Sequence, residues 1–355
     1  MAKTLTSAIG VDLGRYSLKS VLLQRKSGDR YVLTHFASLP LDGNAERTPE
    51  SVGAQLKVLV KNMGGVAKGC AVAVSSPEAL VRIIEQPETE PDVLREALRL
   101  NGMALLNQDC KQFVLDCDLL DAQTPAESPT EAVQGAPAPA PAQRKYLVAG
   151  IPRSEVTQLE QVFEQGGLTN VAAVQLAPVT LFNAFEFAQK ETFDKSAFFL
   201  LDFGHSNSTM MIGARRELGL IRTVEFGGKT LVETLCNLSG EAPETVLSAL
   251  AQDDEVMVEY ARMALMSLTR EIGSSIGFFE GRHDDTIRQI WVSGGLARNA
   301  TLLRLLSDEL HMPCQPWVAV ERCEINVTTS KRAQLEEEML DYSIACGAAA
   351  QLLTA

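Results

Sequence analysis

Apolar and polar positions along this chain switch repeatedly between two periods. The stretch "IGVDLGRYSLKSVLL" (9–23) opens as an apolar run, breaks at Asp-x-Gly and resumes as a second run, which predicts two strands around a tight turn. Val52, Leu56, Leu59, Val60 and Met63 then fall at i, i+4, i+7, i+8 and i+11, one face of a helix that Gly64-Gly65 ends. "AVAVS" (71–75) reads as a buried strand, Val93, Leu94, Ala97 and Leu98 as a helix, and "FVLDCDLL" (113–120) and "YLVAGI" (146–151) as strands. A helix through Val156, Leu159, Val162 and Phe163 closes at Gly166-Gly167, and "VAAVQ" (171–175) returns to strand. A second series follows. "AFFLLDFG" (197–204) is a strand, a long helix covers about 256–279, and "IRQIWVSGG" (287–295) is a strand ending in two glycines. Helices over 299–310 and 341–353 finish the chain, with an acidic, solvated helical run at 332–340 before the last. Strands alternating with helices predict an α/β class. The segment 124–142, "TPAESPTEAVQGAPAPAPA", holds five of the 15 prolines and is expected to be a mobile loop within a domain.

The two series open alike. "VDLGRYSLKSV" (11–21) aligns with "LDFGHSNSTMM" (201–211) at an offset of 190 residues. Asp12 meets Asp202, Gly14 meets Gly204, and Lys19 meets Thr209. Each is an apolar strand, an Asp-x-Gly turn and a returning strand, followed by a further strand-like run, "YVLTHFASL" or "LGLIRTVEF". One Asp-x-Gly at a strand end is a plain turn in most proteins; two in register are a stronger signal. Glycine at such a bend exposes backbone N–H groups that hold an anion. Two such nests facing across a cleft would grip a polyphosphate. The aspartates would hold Mg²⁺ through its waters, Lys19 would add a point charge and Thr209 a hydroxyl. "WVSGGLARN" (291–299) adds a strand followed by Gly294-Gly295, where backbone can approach a base and ribose closely. Gly227-Gly228, between a strand and a helix, is a further candidate for the cleft. His205, in the second hairpin, reads as a solvated turn residue rather than a phosphate donor. His283, Asp284 and Asp285 read as a solvated loop, and Trp291 and Trp317 as core or groove wall.

Composition narrows the function classes. A net charge of −13 disfavours DNA, RNA and anionic lipid, and no basic run overrides it. No stretch of 18 apolar residues predicts a membrane span, and the first ten residues lack a secretory design, so a cytoplasmic protein is expected. The 7 cysteines are scattered, odd in number and without a CxxC pair, which suits reduced thiols.

Asp-x-Gly, Asp-x-Gly and strand-Gly-Gly, in this order and spacing, resemble the actin-like ATPase superfamily. "IGVDLGRYSLKSVLL", "VRIIEQP" (81–87), "YLVAGIPRSEVTQLEQVFEQGGL" (146–168), "LIRTVEFGGKTL" (220–231), "LTREIGSSIGFFEG" (268–281), "IWVSGGLARN" and "DYSIACGAAAQLL" together resemble the PilM family of type IV pilus assembly. The resemblance covers nearly the whole chain outside 124–142. It implies an actin-like ATPase fold: duplicated ribonuclease-H-like lobes over 1–188 and 189–355, with a small subdomain inserted at about 76–168 and the C-terminal helix 341–353 packing back toward the first lobe. ATP and Mg²⁺ would lie between the lobes, with Asp12 and Asp202 on Mg²⁺. Gly14, Ser17, Lys19, Gly204 and Thr209 would bind phosphates, and Gly227, Gly228, Gly294 and Gly295 would face adenosine. The implied partner is the short N-terminal peptide of a PilN-like inner-membrane protein, bound in a groove near the inserted subdomain. That would recruit the protein to the inner face of the cytoplasmic membrane without insertion, in a collar beneath the pilus motor and platform, either as single copies or as a homo-oligomer.

The chain departs from the family at two places. Where the family carries an acid before the connecting helix, "VQLAPVT" (174–180) has Ala177, with Gln175 the nearest polar side chain. Loss of a water-activating group typically costs ~10²–10⁴ in rate, so hydrolysis is expected to be slow or absent. "LLNQDCKQFVLDCDLL" (105–120) lacks the usual proline-containing form. Two alternatives use the same fold. A small-molecule kinase would need a catalytic base, and no further acid accompanies the two hairpins. An FtsA-like filament ATPase would be expected to end in a basic amphipathic helix, which "QLLTA" does not supply.

Overall fold

A computed structural model describes residues 5–41, 46–120 and 143–354. The predicted loop at 124–142 lies outside these residues.

The chain opens with β1 (Ser7–Leu13), β2 (Ser17–Lys26) and β3 (Arg30–Pro40), an antiparallel meander. β1 is buried along almost its whole length, as a strand covered on both faces must be. α1 (Pro49–Met63) starts at a capping box between Thr48 and Ser51, with Pro49 in the first turn, and stops at Gly64 in the left-handed conformation. β4 (Gly69–Val74) then runs parallel to β1. An excursion follows: β5 (Leu80–Pro87), α2 (Pro91–Leu106), β6 (Phe113–Leu119) and β7 (Gln143–Pro152). Its strands form a separate three-stranded sheet in the order β5-β7-β6, with its own small core around Leu94, Leu98, Tyr146 and Val148. α3 (Arg153–Gly166) returns the chain onto α1, and β8 (Val171–Leu176) joins β4 in parallel. α4 (Ala177–Ala188) and α5 (Lys190–Lys195) lead out.

The second series repeats the first. β9 (Ala197–Phe203), β10 (Ser208–Ala214) and β11 (Glu217–Val224) are again an antiparallel meander. α6 (Gly228–Ser239), α7 (Pro243–Ala251) and α8 (Glu255–Glu280) follow, the last capped by the Asp254 carboxylate on the Met257 N–H. β12 (Ile290–Ser293), α9 (Ala300–Leu310) and β13 (Cys314–Pro316) complete a sheet ordered β11-β10-β9-β12-β13. The first sheet has the same order, β3-β2-β1-β4-β8, with the same switch from antiparallel to parallel after the central strand. It also gains β14 (Cys323–Ile325) on its β3 edge. The fold is therefore an actin-like α/β architecture of duplicated ribonuclease-H-like units with a small inserted sheet. β12 is shorter than the predicted 287–295: Ile290 is its first paired residue and Gly294 has already left the strand.

α10 (Thr329–Glu338) and α11 (Ser343–Thr354) close the chain. α11 lies against β1 and β2 on one side and α4 on the other. Glycines permit this approach. A Cβ on Gly10 would stand 1.9 Å from the Ala345 carbonyl oxygen, and one on Gly347 2.2 Å from that of Thr180.

Candidate functional site

The duplicated register places the repeated residues at equivalent positions. Asp12 stands opposite Lys19 across β1–β2, and Asp202 opposite Thr209 across β9–β10. Opposite residues share a sheet face, so each pair extends into a row. In the first sheet the row is Ser38, Lys19, Asp12, Ala73 and Gln175; in the second it is Thr223, Thr209, Asp202 and Ser293. Gln175 thus stands two strands from Asp12, its amide oxygen accepting the Thr180 hydroxyl at 3.4 Å. Ala177, the first residue of α4, is buried.

The two aspartates lie near enough for the charge of Asp12 to act on Asp202. Asp12 is 2% exposed; its Oδ2 lies 3.5 Å from Lys19 Nζ, and its Oδ1 has no hydrogen-bond partner. A buried carboxylate oxygen without a partner is costly, and it fits a site whose donor arrives with a ligand. Burial pushes the Asp12 carboxyl upward, against the pull of Lys19. Asp202 accepts the Ser293 hydroxyl at 3.2 Å. Burial, and after it the charge of Asp12, pushes Asp202 up from 3.8 to about 6, with Ser293 and Lys19 opposing. Two carboxylates sharing one desolvated space favour a cation between them. Among the described residues no group of three or more His, Cys, Asp or Glu is arranged to hold a metal by itself. Any ion here would need ligands from solvent or from an anion. Thr209 is 6% exposed, its hydroxyl 3.4 Å from that of Thr223.

The glycines close the turns. A Cβ on Gly14 would meet the Ser17 carbonyl oxygen at 2.6 Å, and one on Gly204 that of Asn207 at 2.8 Å. The N-terminus of α6 is bound to the second turn: the Gly228 N–H donates to Gly204 O at 3.0 Å and the Lys229 N–H to His205 O at 2.8 Å. Gly227 passes so close that a Cβ would meet His205 O at 2.6 Å. Gly294, at φ 89°, lies against the end of β9, where a Cβ would stand 2.5 Å from Phe203 O and 3.0 Å from Asp202 Oδ1. Asp12, Lys19, Asp202, Gly204, Gly227 and Gly294 therefore form one cluster. Gly228 and Gly295 lie on its margin, with Leu296 and Asp341 as respective neighbours. Ser17 begins β2, half-buried beside the first turn.

Sequence reasoning missed three residues here. Ser293, the hydrogen-bond donor to Asp202, could have been found from its place directly before the glycine pair. Tyr16 and Arg47 carried no signal. The Tyr16 ring stacks on His205 of the opposite hairpin, with centroids 4.7 Å apart, and Arg47 Nη1 donates to the Gly14 and Arg15 carbonyls at 3.2 Å each. His205 is exposed, as expected of a turn, yet it is engaged by that stack. Burial and then Lys229 push its imidazole down, which favours the neutral ring, with Glu233 opposing. The other residues set aside have structural duties. Asp285 pairs with Arg215, His283 stacks on Phe279, and Trp317 is buried in the core.

A second concavity lies outside the cluster. A pocket of about 110 Å³ opens between α1, the end of β4 and α3, beside the inserted sheet. Leu13, Val52, Val74 and Leu159 give it apolar walls, and Arg47 and Glu155 place opposite charges at its lining. Leu13 adjoins Asp12, so pocket and cluster lie on successive residues of β1.

The family model for type IV pilus assembly protein PilM matches residues 10–352. Among solved structures, the chain is similar to the PilM–PilN type IV pilus biogenesis complex at 20% identity and a TM-score of 0.78, covering 98% of both chains. It is also similar to the ethanolamine utilization protein EutJ from Carboxydothermus hydrogenoformans, at 12% identity and a TM-score of 0.54, covering 98% of this chain and 90% of that one. No curated protein matches by sequence.

Proposed function

Because this chain belongs to the family of type IV pilus assembly proteins called PilM, we propose that it is an ATP-binding assembly scaffold that docks the N-terminal peptide of a PilN-like membrane protein. The observation that carries the nucleotide half is the nearness of buried Asp12 to Asp202 beside the two glycine turns, with Asp12 Oδ1 lacking a donor. That arrangement fits Mg²⁺ and the phosphates of ATP. The two carboxylates would hold waters of the ion, and Lys19 with the turns at Gly14, Ser17, Gly204 and Thr209 would hold phosphates. Gly227, Gly228, Gly294 and Gly295 would admit adenosine. Mg²⁺, when bound, supplies the positive charge that lets the acids and the phosphates share the cleft.

Hydrolysis is not the main task of this site. The row through Asp12 ends on Gln175, an amide, which orients a water but takes no proton from it. ATP then serves as a structural ligand that holds the two halves in one arrangement.

The peptide half rests on the pocket between α1 and α3. Its apolar walls suit an aliphatic side chain, and Arg47 and Glu155 suit the polar backbone around it. No helix among the described residues is long and apolar enough to cross a membrane. Membrane proximity would come through the bound peptide, and contacts with the pilus motor and platform would be made from there.

Two measurements test these halves. Titration with ATP and Mg²⁺ is expected to raise the melting temperature, by the equivalent of about 2.7 kcal/mol at a hundredfold excess over Kd. Lys19→Ala should weaken that shift at least tenfold in midpoint; an unshifted midpoint sinks the nucleotide reading. For the pocket, Leu159→Glu is expected to reduce affinity for the N-terminal peptide of the host's PilN-like protein at least tenfold, since it places a charge in the apolar wall. The ATP-induced shift of that variant should stay intact. Undiminished peptide binding would remove this pocket as the docking site.

A further inference from the structure

The two turns of the cleft are each braced from their own side. Arg47 and the Leu41 N–H hold the carbonyls of Gly14, Arg15 and Tyr16, and the first two residues of α6 hold those of Gly204 and His205. The ring contact between Tyr16 and His205 is what joins the braced tips, at 4.7 Å between centroids and 27° between planes. Further back along β1, at Gly10, α11 packs on the first sheet and on α4 as a fixed contact. The ring pair is of a different kind. Tyr16 is 56% exposed, so the contact opens without uncovering a core.

We infer that Tyr16 and His205 form an aromatic clasp across the cleft, which positions the two phosphate-facing turns and sets the rate at which nucleotide leaves. This rests on the nucleotide reading above, since the clasp spans the tips directly beside Asp12 and Asp202. Bracing gives this contact its meaning. If the tips were loose loops, the stack would follow them wherever they went. With both tips fixed to their own halves, forming or losing the stack reports approach or separation of the halves themselves.

The test is a double-substitution cycle on the full chain, with stopped-flow release of a fluorescent N-methylanthraniloyl ATP in the presence of Mg²⁺. Tyr16→Ala and His205→Ala are each expected to speed release about fivefold, the worth of one aromatic pair. The double variant should be no faster than either single one, because the same contact is lost once. Tyr16→Phe keeps the ring and should release at the wild-type rate, which a role for the hydroxyl would not allow. Wild-type release from Tyr16→Ala, or single effects that multiply in the double variant, would overturn the clasp. Amide hydrogen exchange on the nucleotide-free protein supplies a second readout. Tyr16→Ala should accelerate exchange at 204–208, on the opposite hairpin, and unchanged exchange there counts against the clasp. Failure of the wild-type protein to bind the analogue would instead remove the nucleotide reading and the clasp's role in release; the exchange result stays interpretable in that case.

Discussion

Asp202→Asn is expected to raise the melting temperature of the nucleotide-free protein by about 2 °C at pH 7.5 while abolishing the stabilisation proposed above for Mg²⁺ and ATP. The gain comes from removing a charge that folding has desolvated beside another. Asp202 moves from an ordinary 3.8 to about 6, first through burial and then through Asp12. A folded-state value above the unfolded one means that the native protein holds the proton more tightly. Asp202 therefore carries no penalty below about pH 4. The penalty grows between pH 4 and 6 and is complete above 6. A shift of that size sets an upper bound of about 3 kcal/mol, and since Asp202 keeps part of its surface open and lies near Lys19, about 1 kcal/mol is the expected net effect. For a chain of this length that corresponds to roughly 2 °C. The Asn side-chain oxygen still accepts the Ser293 hydroxyl, so no hydrogen bond is lost. The advantage of the variant should shrink as the pH is lowered from 7.5 and vanish near pH 4. Thermal melts of both proteins across that range, with and without Mg²⁺ and ATP, decide it. A variant that is less stable at pH 7.5, or that still responds to the ligands as the wild type does, contradicts the assignment of Asp202 to a cation site.

The elements most legible in the sequence were those whose period and punctuation agreed. α1 ran to Met63 and stopped at Gly64 because its apolar stripe and its left-handed glycine coincide, and α3 closed at Gly166-Gly167 for the same reason. The echo at 190 residues was legible for a deeper reason. It preserves a pairing register, so Asp12 opposite Lys19 and Asp202 opposite Thr209 follow from the same strand–turn–strand length. β13 and β14 were not legible. Three residues show no period, and both strands exist because a sheet edge was available to them. α7, nine residues beginning at Pro243, was missed because only Val246 and Leu250 mark its buried side. In the cleft, acids and glycines could be named because their chemistry is carried by residue type. Tyr16 facing His205 could not, since that contact depends on how two distant hairpins approach. Arg47 was hidden likewise: it belongs by sequence to the start of α1 and by contact to the first turn.

Gly10→Ala, one added methyl group, is expected to cost about 3 kcal/mol or more and to lower the melting temperature by about 5 °C or more. The new Cβ would lie 1.9 Å from the Ala345 carbonyl oxygen and 2.7 Å from the Ala349 amide nitrogen. Both are backbone atoms of α11, so no side-chain rotation relieves the overlap, and the helix as a whole must move. It has nowhere to go. On its far side Gly347 already lies so close to α4 that a Cβ there would meet Thr180 O at 2.2 Å. α11 is thus held between β1 and α4 with glycine at both contacts. Displacing it also disturbs the end of β1, where Asp12 lies two residues beyond Gly10 on the same face. Gly273→Ala provides the internal comparison. Gly273 sits mid-helix in α8, where an added Cβ would meet nothing within 4 Å, so alanine should stabilise by about 0.5–1 kcal/mol through helix propensity alone. The two substitutions are chemically identical and opposite in expected sign. Side-by-side thermal and urea melts therefore isolate the packing contribution. If Gly10→Ala melts within 2 °C of the wild type, α11 is not clamped against β1, and the arrangement that fixes Asp12 at the centre of the cleft must rest on something else.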